Sequence, residues 1–252
     1  MESCVNLFYS SMSRVWVPSH DHVRTLSRKG LDASRMEIMP LGIHIGKFRP
    51  IADLSREDNK IKLLYVGQIS RECNLDFLLA VFEEVKKHHE RVHLTLAGDG
   101  PYLQTLRERY SGRPDIEFTG ALPQQNLPEI YSSADLFVFP DRSDTFGMNV
   151  LEAQACGLPA VVPDTGGSRE IVVHAQTGYI ARSDDLNDWV NKVGLMLQIN
   201  GQKPEHYLAM KRAARELVVR EYSWTDDLNA FMQRKERTGT DPGRSDVVEP
   251  AA

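Results

Sequence analysis

Two acidic residues, Asp144 and Glu152, lie eight positions apart around a glycine-containing turn. Eight residues is about two helical turns, so both carboxylates would face roughly the same side, one at the mouth of a helix and one along its flank. Carboxylates can accept hydrogen bonds from the hydroxyls of a sugar or a ribose. The structural alternative is that Asp144 caps the helix and Glu152 is a solvated residue on its surface.

A strand, a turn and a helix must position these acids. The run 135–139 has the length of a strand and is closed by Pro140. A helix is predicted to start near Gly147 and to stop at Gly157, and the apolar run 159–162 follows as a second strand. This order is typical of a parallel crossover unit. The helix N-terminus offers unpaired N–H groups and a positive dipole end, which suit phosphate.

Strands alternate with helices from residue 61 onward, which predicts an α/β fold with a doubly wound parallel sheet. Ligands of such sheets bind beyond the carboxyl ends of the strands. Glycines follow three of the predicted strands, at Gly67, Gly98 and Gly120, and the turn at 143–147 follows a fourth. Each glycine alone would indicate only a tight turn. Together they predict one crevice at this edge of the sheet.

Composition and charge exclude several functional classes. The chain has 252 residues and a formal net charge of −5, which implies no general attraction to nucleic acid. Its three cysteines, Cys4, Cys73 and Cys156, have no metal-ligand spacing, which favours a reducing compartment. No run approaches the roughly 20 apolar residues of a transmembrane segment. We expect a cytoplasmic protein, with peripheral association at the inner membrane face as one option.

Residues 143–159 contain the ordered pattern Ser-Asp-Thr-Phe-Gly-x-x-x-Leu-Glu-Ala-x-Ala-x-Gly-x-Pro, and 164–170 continue it as Asp-Thr-Gly-Gly-Ser-Arg-Glu. The whole stretch resembles the family-4 retaining glycosyltransferases, which have two Rossmann-like domains. The resemblance implies transfer of a hexose, with retention, from a UDP- or GDP-sugar to an acceptor hydroxyl. It also implies that this nucleotide-sugar donor is bound without a metal or another cofactor.

The resemblance assigns roles to individual residues. Asp144 and Glu152 would be the catalytic acids, Asp144 holding the sugar hydroxyls and Glu152 the ribose. Backbone amides at 146–149 would hold the diphosphate, and the loop at Leu122 would lie against the base. The implied donor-binding residues are Gly67, Gln68, Cys73, Gly98, Leu122, Asp144, Thr145, Phe146, Gly147, Met148, Asn149 and Glu152.

The chain departs from the family pattern after Gly67. Members of the family usually carry an arginine directly after this glycine and a lysine five positions later, and both neutralise the diphosphate. Gln68 and Cys73 stand at these positions here, so two formal positive charges are missing. Charge-assisted hydrogen bonds are about twice as strong as neutral ones, so this departure argues against full activity. Asp144 also stands where glutamate is usual, a change that we weigh lightly.

The resemblance also predicts the domain organisation. Residues 1–50 would be a remnant of an N-terminal domain and its crossover, 51–60 a linker, and 61–200 the Rossmann-like nucleotide-sugar-binding domain. C-terminal helices would occupy 201–234 and a disordered tail 235–252. The chain would then be the C-terminal half of a two-Rossmann-domain glycosyltransferase. Alternatively, 1–50 form a lid on a single complete domain.

Three hypotheses on function remain open. In the first, a partner chain supplies the missing N-terminal domain, with the acceptor site and the catalytic histidine of the family. In the second, the chain is a catalytically inactive nucleotide-sugar-binding or regulatory module, which Gln68 and Cys73 favour. In the third, it is a degenerate fragment whose exposed interdomain surface would cause aggregation.

Overall fold

The computed structural model describes residues 9, 11–39, 41–52 and 60–223. Most of the predicted linker, the helix predicted to follow Ser223 and the predicted tail at 235–252 lie outside these ranges. The described chain begins with strand β1 (Val15–Val17), helix α1 (His20–Arg28) and strand β2 (Met36–Ile38). Strands β1 and β2 pair in parallel as a separate two-stranded sheet.

A six-stranded parallel sheet forms the centre of the molecule. Its strands are β3 (Ile61–Val66), β4 (Val92–Ala97), β5 (Ile116–Gly120), β6 (Leu136–Val138), β7 (Ala160–Pro163) and β8 (Gly178–Ala181). Their spatial order is β5-β4-β3-β6-β7-β8, and every pair is parallel. This is the strand order of a doubly wound dinucleotide-binding sheet, which reverses direction between β3 and β6. The predicted fold class is confirmed.

Helices cover the sheet because their apolar residues recur at helical spacing. They are α2 (Leu75–Lys86), α3 (Leu103–Arg109), α4 (Leu127–Ser133), α5 (Met148–Ala155), α6 (Leu186–Gln202) and α7 (Pro204–Glu221). In α2, for example, Leu75, Leu78 and Phe82 are fully buried against the core. Helix α6 continues through the predicted domain boundary at residue 200. Among the described residues, none of the helices has the length and apolar character needed to cross a membrane.

Helix α7 holds the segment that leads from β2 into the sheet. The guanidinium of Arg215 donates hydrogen bonds to the carbonyl oxygens of Phe48 at 2.6 Å, Ala155 at 2.8 Å and Ile45 at 3.0 Å. The backbone N–H of Ile43 donates to the carbonyl oxygen of Tyr222 at 2.8 Å. One side chain therefore joins the crossover segment, the C-terminus of α5 and α7.

Candidate functional site

The switch point between β3 and β6 is where a doubly wound sheet opens a crevice for ligands. Gly67 directly follows β3, and the turn that carries Asp144 follows β6. Helix α5 starts at the far end of that turn and carries Glu152. The fold thus brings the predicted residues of two separate stretches to one edge of the sheet.

Close backbone contacts explain the predicted glycines of this edge. A Cβ atom on Gly98, which has φ +149°, would lie 1.8 Å from the carbonyl oxygen of Gly67. The N–H of Ile69 donates to the carbonyl oxygen of Asp99 at 2.8 Å, so the loops that follow β3 and β4 are hydrogen-bonded together. Gly67 and Gly98 are side by side because only glycine permits this approach.

Tyr65, near the end of β3, holds the main chain of the loop that follows Gly67. Its hydroxyl donates to the carbonyl oxygen of Gln68 at 2.9 Å, and its ring stacks on Phe139 with a centroid separation of 6.0 Å. Burial raises the pKa of the Tyr65 hydroxyl far above its usual range, and the neighbouring Cys73 thiol raises it further. The phenol is therefore a neutral hydrogen-bond donor that fixes the main chain of Gln68.

Cys73 contributes no charge to this loop. It is only 6% exposed, and its Sγ atom lies 3.3 Å from the Oγ atom of Ser70. Burial raises the pKa of the Cys73 thiol, so the neutral form is favoured. The nearby guanidinium of Arg71 is stacked on the ring of Tyr102, 4.2 Å from its centroid. Arg71 therefore does not take the place of the missing cations.

Asp144 bonds to its own turn. Its Oδ1 atom accepts hydrogen bonds from the N–H of Phe146, at 2.7 Å, and from the N–H of Gly147. Burial raises the pKa of this carboxyl group. Asp144 therefore closes the turn before α5 and does not cap the helix, because the N-cap residue is Gly147, which provides no side-chain cap hydrogen bond. Two of the amides predicted to hold a diphosphate are engaged by the carboxylate. Met148 and Asn149 open α5, where the first N–H groups have no intrahelical partner.

Glu152 lies in the wall of the crevice. It is 8% exposed, and its Oε2 atom accepts a hydrogen bond from the Tyr131 hydroxyl at 2.9 Å. Burial raises the pKa of the Glu152 carboxyl group, and the bond from Tyr131 and the charge of Lys47 oppose this effect. Lys47 donates to the Oε1 atom of Gln124 at 2.7 Å. The alternative of a solvated surface residue is wrong for Glu152.

The turn at 144–147 is contacted by the start of α1 and by the residue that follows α7. The Ser19 hydroxyl, at the start of α1, donates to the carbonyl oxygen of Thr145 at 2.6 Å. The Glu170 carboxylate accepts from the N–H of His20 at 2.9 Å and from the N–H of Asp21 at 2.7 Å. Tyr222, after α7, packs edge-on against Phe146 with a ring separation of 6.1 Å. Thr145 itself is exposed.

Leu122 lies two residues after Gly120, whose carbonyl oxygen accepts a hydrogen bond from the N–H of Gly98 at 2.9 Å. It is half-buried and lines a groove of about 780 Å³ between α4 and the faces of β4 and β5. Among the described residues that line this groove, none of the other predicted donor-site residues is present. The structure therefore gathers the loop at 67–73 and the segment at 144–152, and Leu122 follows the strand end that is hydrogen-bonded to Gly98.

Several residues of the crevice were not predicted. Tyr65, Tyr131 and Lys47 belong to three different segments, and nothing in the local sequence links them to the acids. Asp141 also went unnoticed, although it directly follows the strand-closing Pro140. Its position at a strand end was the available signal. No group of three or more metal-ligating side chains occurs within the described residues.

Curated proteins that match the chain are sugar transferases. A sulfoquinovosyl transferase of Arabidopsis thaliana is 29% identical over 236 residues, 89% of this chain and 44% of the relative. A D-inositol 3-phosphate glycosyltransferase of Segniliparus rotundus is 28% identical, covering 77% of this chain and 45% of the relative. A GDP-mannose-dependent phosphatidylinositol monomannoside mannosyltransferase of Mycobacterium tuberculosis is 27% identical, with coverages of 83% and 57%. The chain thus spans about half the length of these relatives.

Solved structures show the same fold. Sucrose-phosphate synthase from Thermosynechococcus elongatus superposes with a TM-score of 0.80 at 23% identity, over 94% of this chain and 61% of that one. Anabaena HepE, crystallised with UDP and glucose, gives a TM-score of 0.79 at 17% identity, over 94% and 65%. The family model described as glycosyl transferases group 1 matches residues 48–217. Because this match spans more than half of the sequence, the chain belongs to the group 1 glycosyltransferase family.

Proposed function

We propose that this chain is the donor-binding half of a retaining glycosyltransferase, which transfers a hexose from a UDP- or GDP-sugar to an acceptor hydroxyl without a metal ion. The observation that carries the proposal is the environment of Glu152. Glu152 is 8% exposed, so its carboxylate has lost most of its contact with water. Burying a charged group is unfavourable, and buried carboxylates therefore occur mainly where the group has a partner or a function. In the described structure, Tyr131 bonds only to the Oε2 atom, which leaves Oε1 available to a ribose hydroxyl.

The mechanism follows from the same positions. Glu152 would bind the ribose, and the exposed Thr145 and the Asp144 carboxylate would lie near the transferred sugar. Asp144 would have to share its carboxylate between the sugar hydroxyls and the amides of Phe146 and Gly147, which it binds within the turn. The N–H groups of Met148 and Asn149, with the positive end of the α5 dipole, would stabilise the leaving diphosphate.

We further propose that residues outside this chain complete the active site, supplied either by a longer parent protein or by a partner chain. The 44–57% coverage of the relatives supports this proposal. The separate sheet of β1 and β2, on which Trp16 is 56% exposed, supports it too. We also propose a cytoplasmic location, at the inner membrane face if the acceptor is a lipid. The name of the mycobacterial relative indicates a lipid acceptor for that protein.

Calorimetric titration with UDP, GDP and their sugar conjugates tests the donor site. We expect one nucleotide to bind with a Kd in the micromolar range and Glu152→Ala, which removes the acceptor, to abolish binding. Glu216→Ala, on the exposed face of α7, is the matched control and should bind like the parent chain. If no nucleotide binds, or if Glu152→Ala binds unchanged, the proposal is wrong.

A further inference from the structure

Asp141 is a half-buried acid that the predicted donor chemistry does not use. It follows β6, the strand that pairs with β3 in the register Leu63↔Leu136 and Leu64↔Phe137. Extended beyond the strand ends, this register sets Asp141 level with Gln68. The stacking of Tyr65 on Phe139 shows that the two strands stay adjacent up to this point. Asp141 therefore lies at the switch point, opposite the loop that follows Gly67.

The carboxylate of Asp141 affects three groups of the crevice. Burial raises the pKa of Cys73 and Tyr65, and the negative charge of Asp141 raises both further. Burial also raises the pKa of Asp144, again with a contribution from Asp141. The charge of Asp141 is thus felt at the loop and at the turn between which a diphosphate would lie.

Neighbouring basic side chains are engaged elsewhere. Arg142 pairs with Asp184 at 2.5 Å, Arg71 stacks on Tyr102, and Lys47 is hydrogen-bonded to Gln124. Asp141, by contrast, adds a negative charge next to the neutral Gln68 and Cys73. The charge of Asp141 therefore disfavours a diphosphate at this position, in opposition to the positive end of the α5 dipole.

We propose that Asp141 is a specificity-determining residue, which weakens binding in proportion to the negative charge of the nucleotide's phosphate groups. This inference rests on the proposed donor site. In the chain by itself, the base and ribose would supply most of the binding free energy, and each added phosphate would contribute little. Tight binding of a diphosphate would then require positive charge from outside this chain.

A charge series of ligands tests the role of Asp141. Uridine, UMP and UDP, and in parallel guanosine, GMP and GDP, are titrated into the chain and into Asp141→Asn at low ionic strength. Asparagine keeps the acceptor that bonds the N–H and hydroxyl of Ser143, at 2.8 and 2.7 Å, and removes only the charge. We expect binding to tighten about tenfold for the diphosphate and about threefold for the monophosphate, with no change for the nucleoside. The gain should shrink at high salt because exposed charges are screened.

Asp32→Asn is a closely matched control. Asp32 makes the same contacts with the N–H and hydroxyl of Ser34, at 2.9 and 2.7 Å, but lies beyond the opposite end of α1 from Ser19. It should leave the whole series unchanged. An equal gain for nucleoside and diphosphate in Asp141→Asn, no gain at all, or the same gain in Asp32→Asn would overturn the inference alone. Absence of binding by every ligand to every variant would overturn the donor site and the inference together.

Discussion

The hydroxyl of Tyr131 donates a hydrogen bond of 2.9 Å to the carboxylate of Glu152, and both side chains are buried. The bond joins α4 to α5 beneath the proposed ribose position. A phenol can donate a hydrogen bond to a carboxylate or to an amide oxygen. The charge of Glu152 is therefore not needed for the packing of α4 on α5.

Glu152→Gln should stabilise the chain at neutral pH. The folded-state pKa of Glu152 is raised above its unfolded value, chiefly by burial. Stability is then lost as pH rises from the unfolded pKa through the folded one, because the folded state must give up a proton that it binds more tightly. We expect a gain of about 0.5–2 kcal/mol at pH 7, which vanishes below about pH 4.

Urea denaturation of the parent chain and of Glu152→Gln across this pH range measures the effect. Glu216→Gln, an exposed change, should shift stability by less than about 0.5 kcal/mol at every pH. A parent chain that is more stable than Glu152→Gln at pH 7 would show that the carboxylate has favourable interactions that outweigh its burial.

Gly98→Ala should disrupt the crevice through its backbone. The added Cβ would meet the carbonyl oxygen of Gly67 at 1.8 Å, so one of the two loops must move. We expect a loss of about 2–4 kcal/mol in the free energy of unfolding, with loss of nucleotide binding. Thermal unfolding and calorimetry provide the two readouts.

The control for this change is Gly112→Ala. Gly112 also has a positive φ, of +80°, but its Cβ would meet nothing within 4 Å among the described residues. It should cost only about 1–2 kcal/mol, from backbone strain, and should leave binding intact. Equal losses in the two variants would mean that φ, and not the contact with Gly67, accounts for the glycine at 98.

Arg215→Met should loosen the crossover segment. The guanidinium donates to three carbonyl oxygens, and methionine would leave all three without this donor. We expect a loss of about 2–4 kcal/mol and faster amide hydrogen exchange at 43–48. Arg212→Met, on an exposed position of the same helix, should change neither. Unchanged exchange at 43–48 in Arg215→Met would contradict this role.

The sequence was sufficient to predict the sheet and the location of the candidate site at its edge, because both depend on local patterns. Apolar runs, helical spacing and the glycines that follow strands predicted β3 to β7 and the start of α5. Strand β8 was missed because Gly178–Ala181 is short and begins with glycine. Tyr131 and Asp141 were missed for another reason. Their partners lie on other segments, and only the crossing order of the strands brings them together.

The contacts of α1 with the turn at 144–147 and with Glu170 couple the N-terminal segment to the sheet. Ser19 bonds to Thr145, and Glu170 bonds to the first amides of the same helix. Any rotation of the N-terminal segment against the sheet must stretch or break these bonds. Such a rotation would therefore displace the turn that precedes α5. Movement of the N-terminal segment and release of a nucleotide from the proposed site would then occur together.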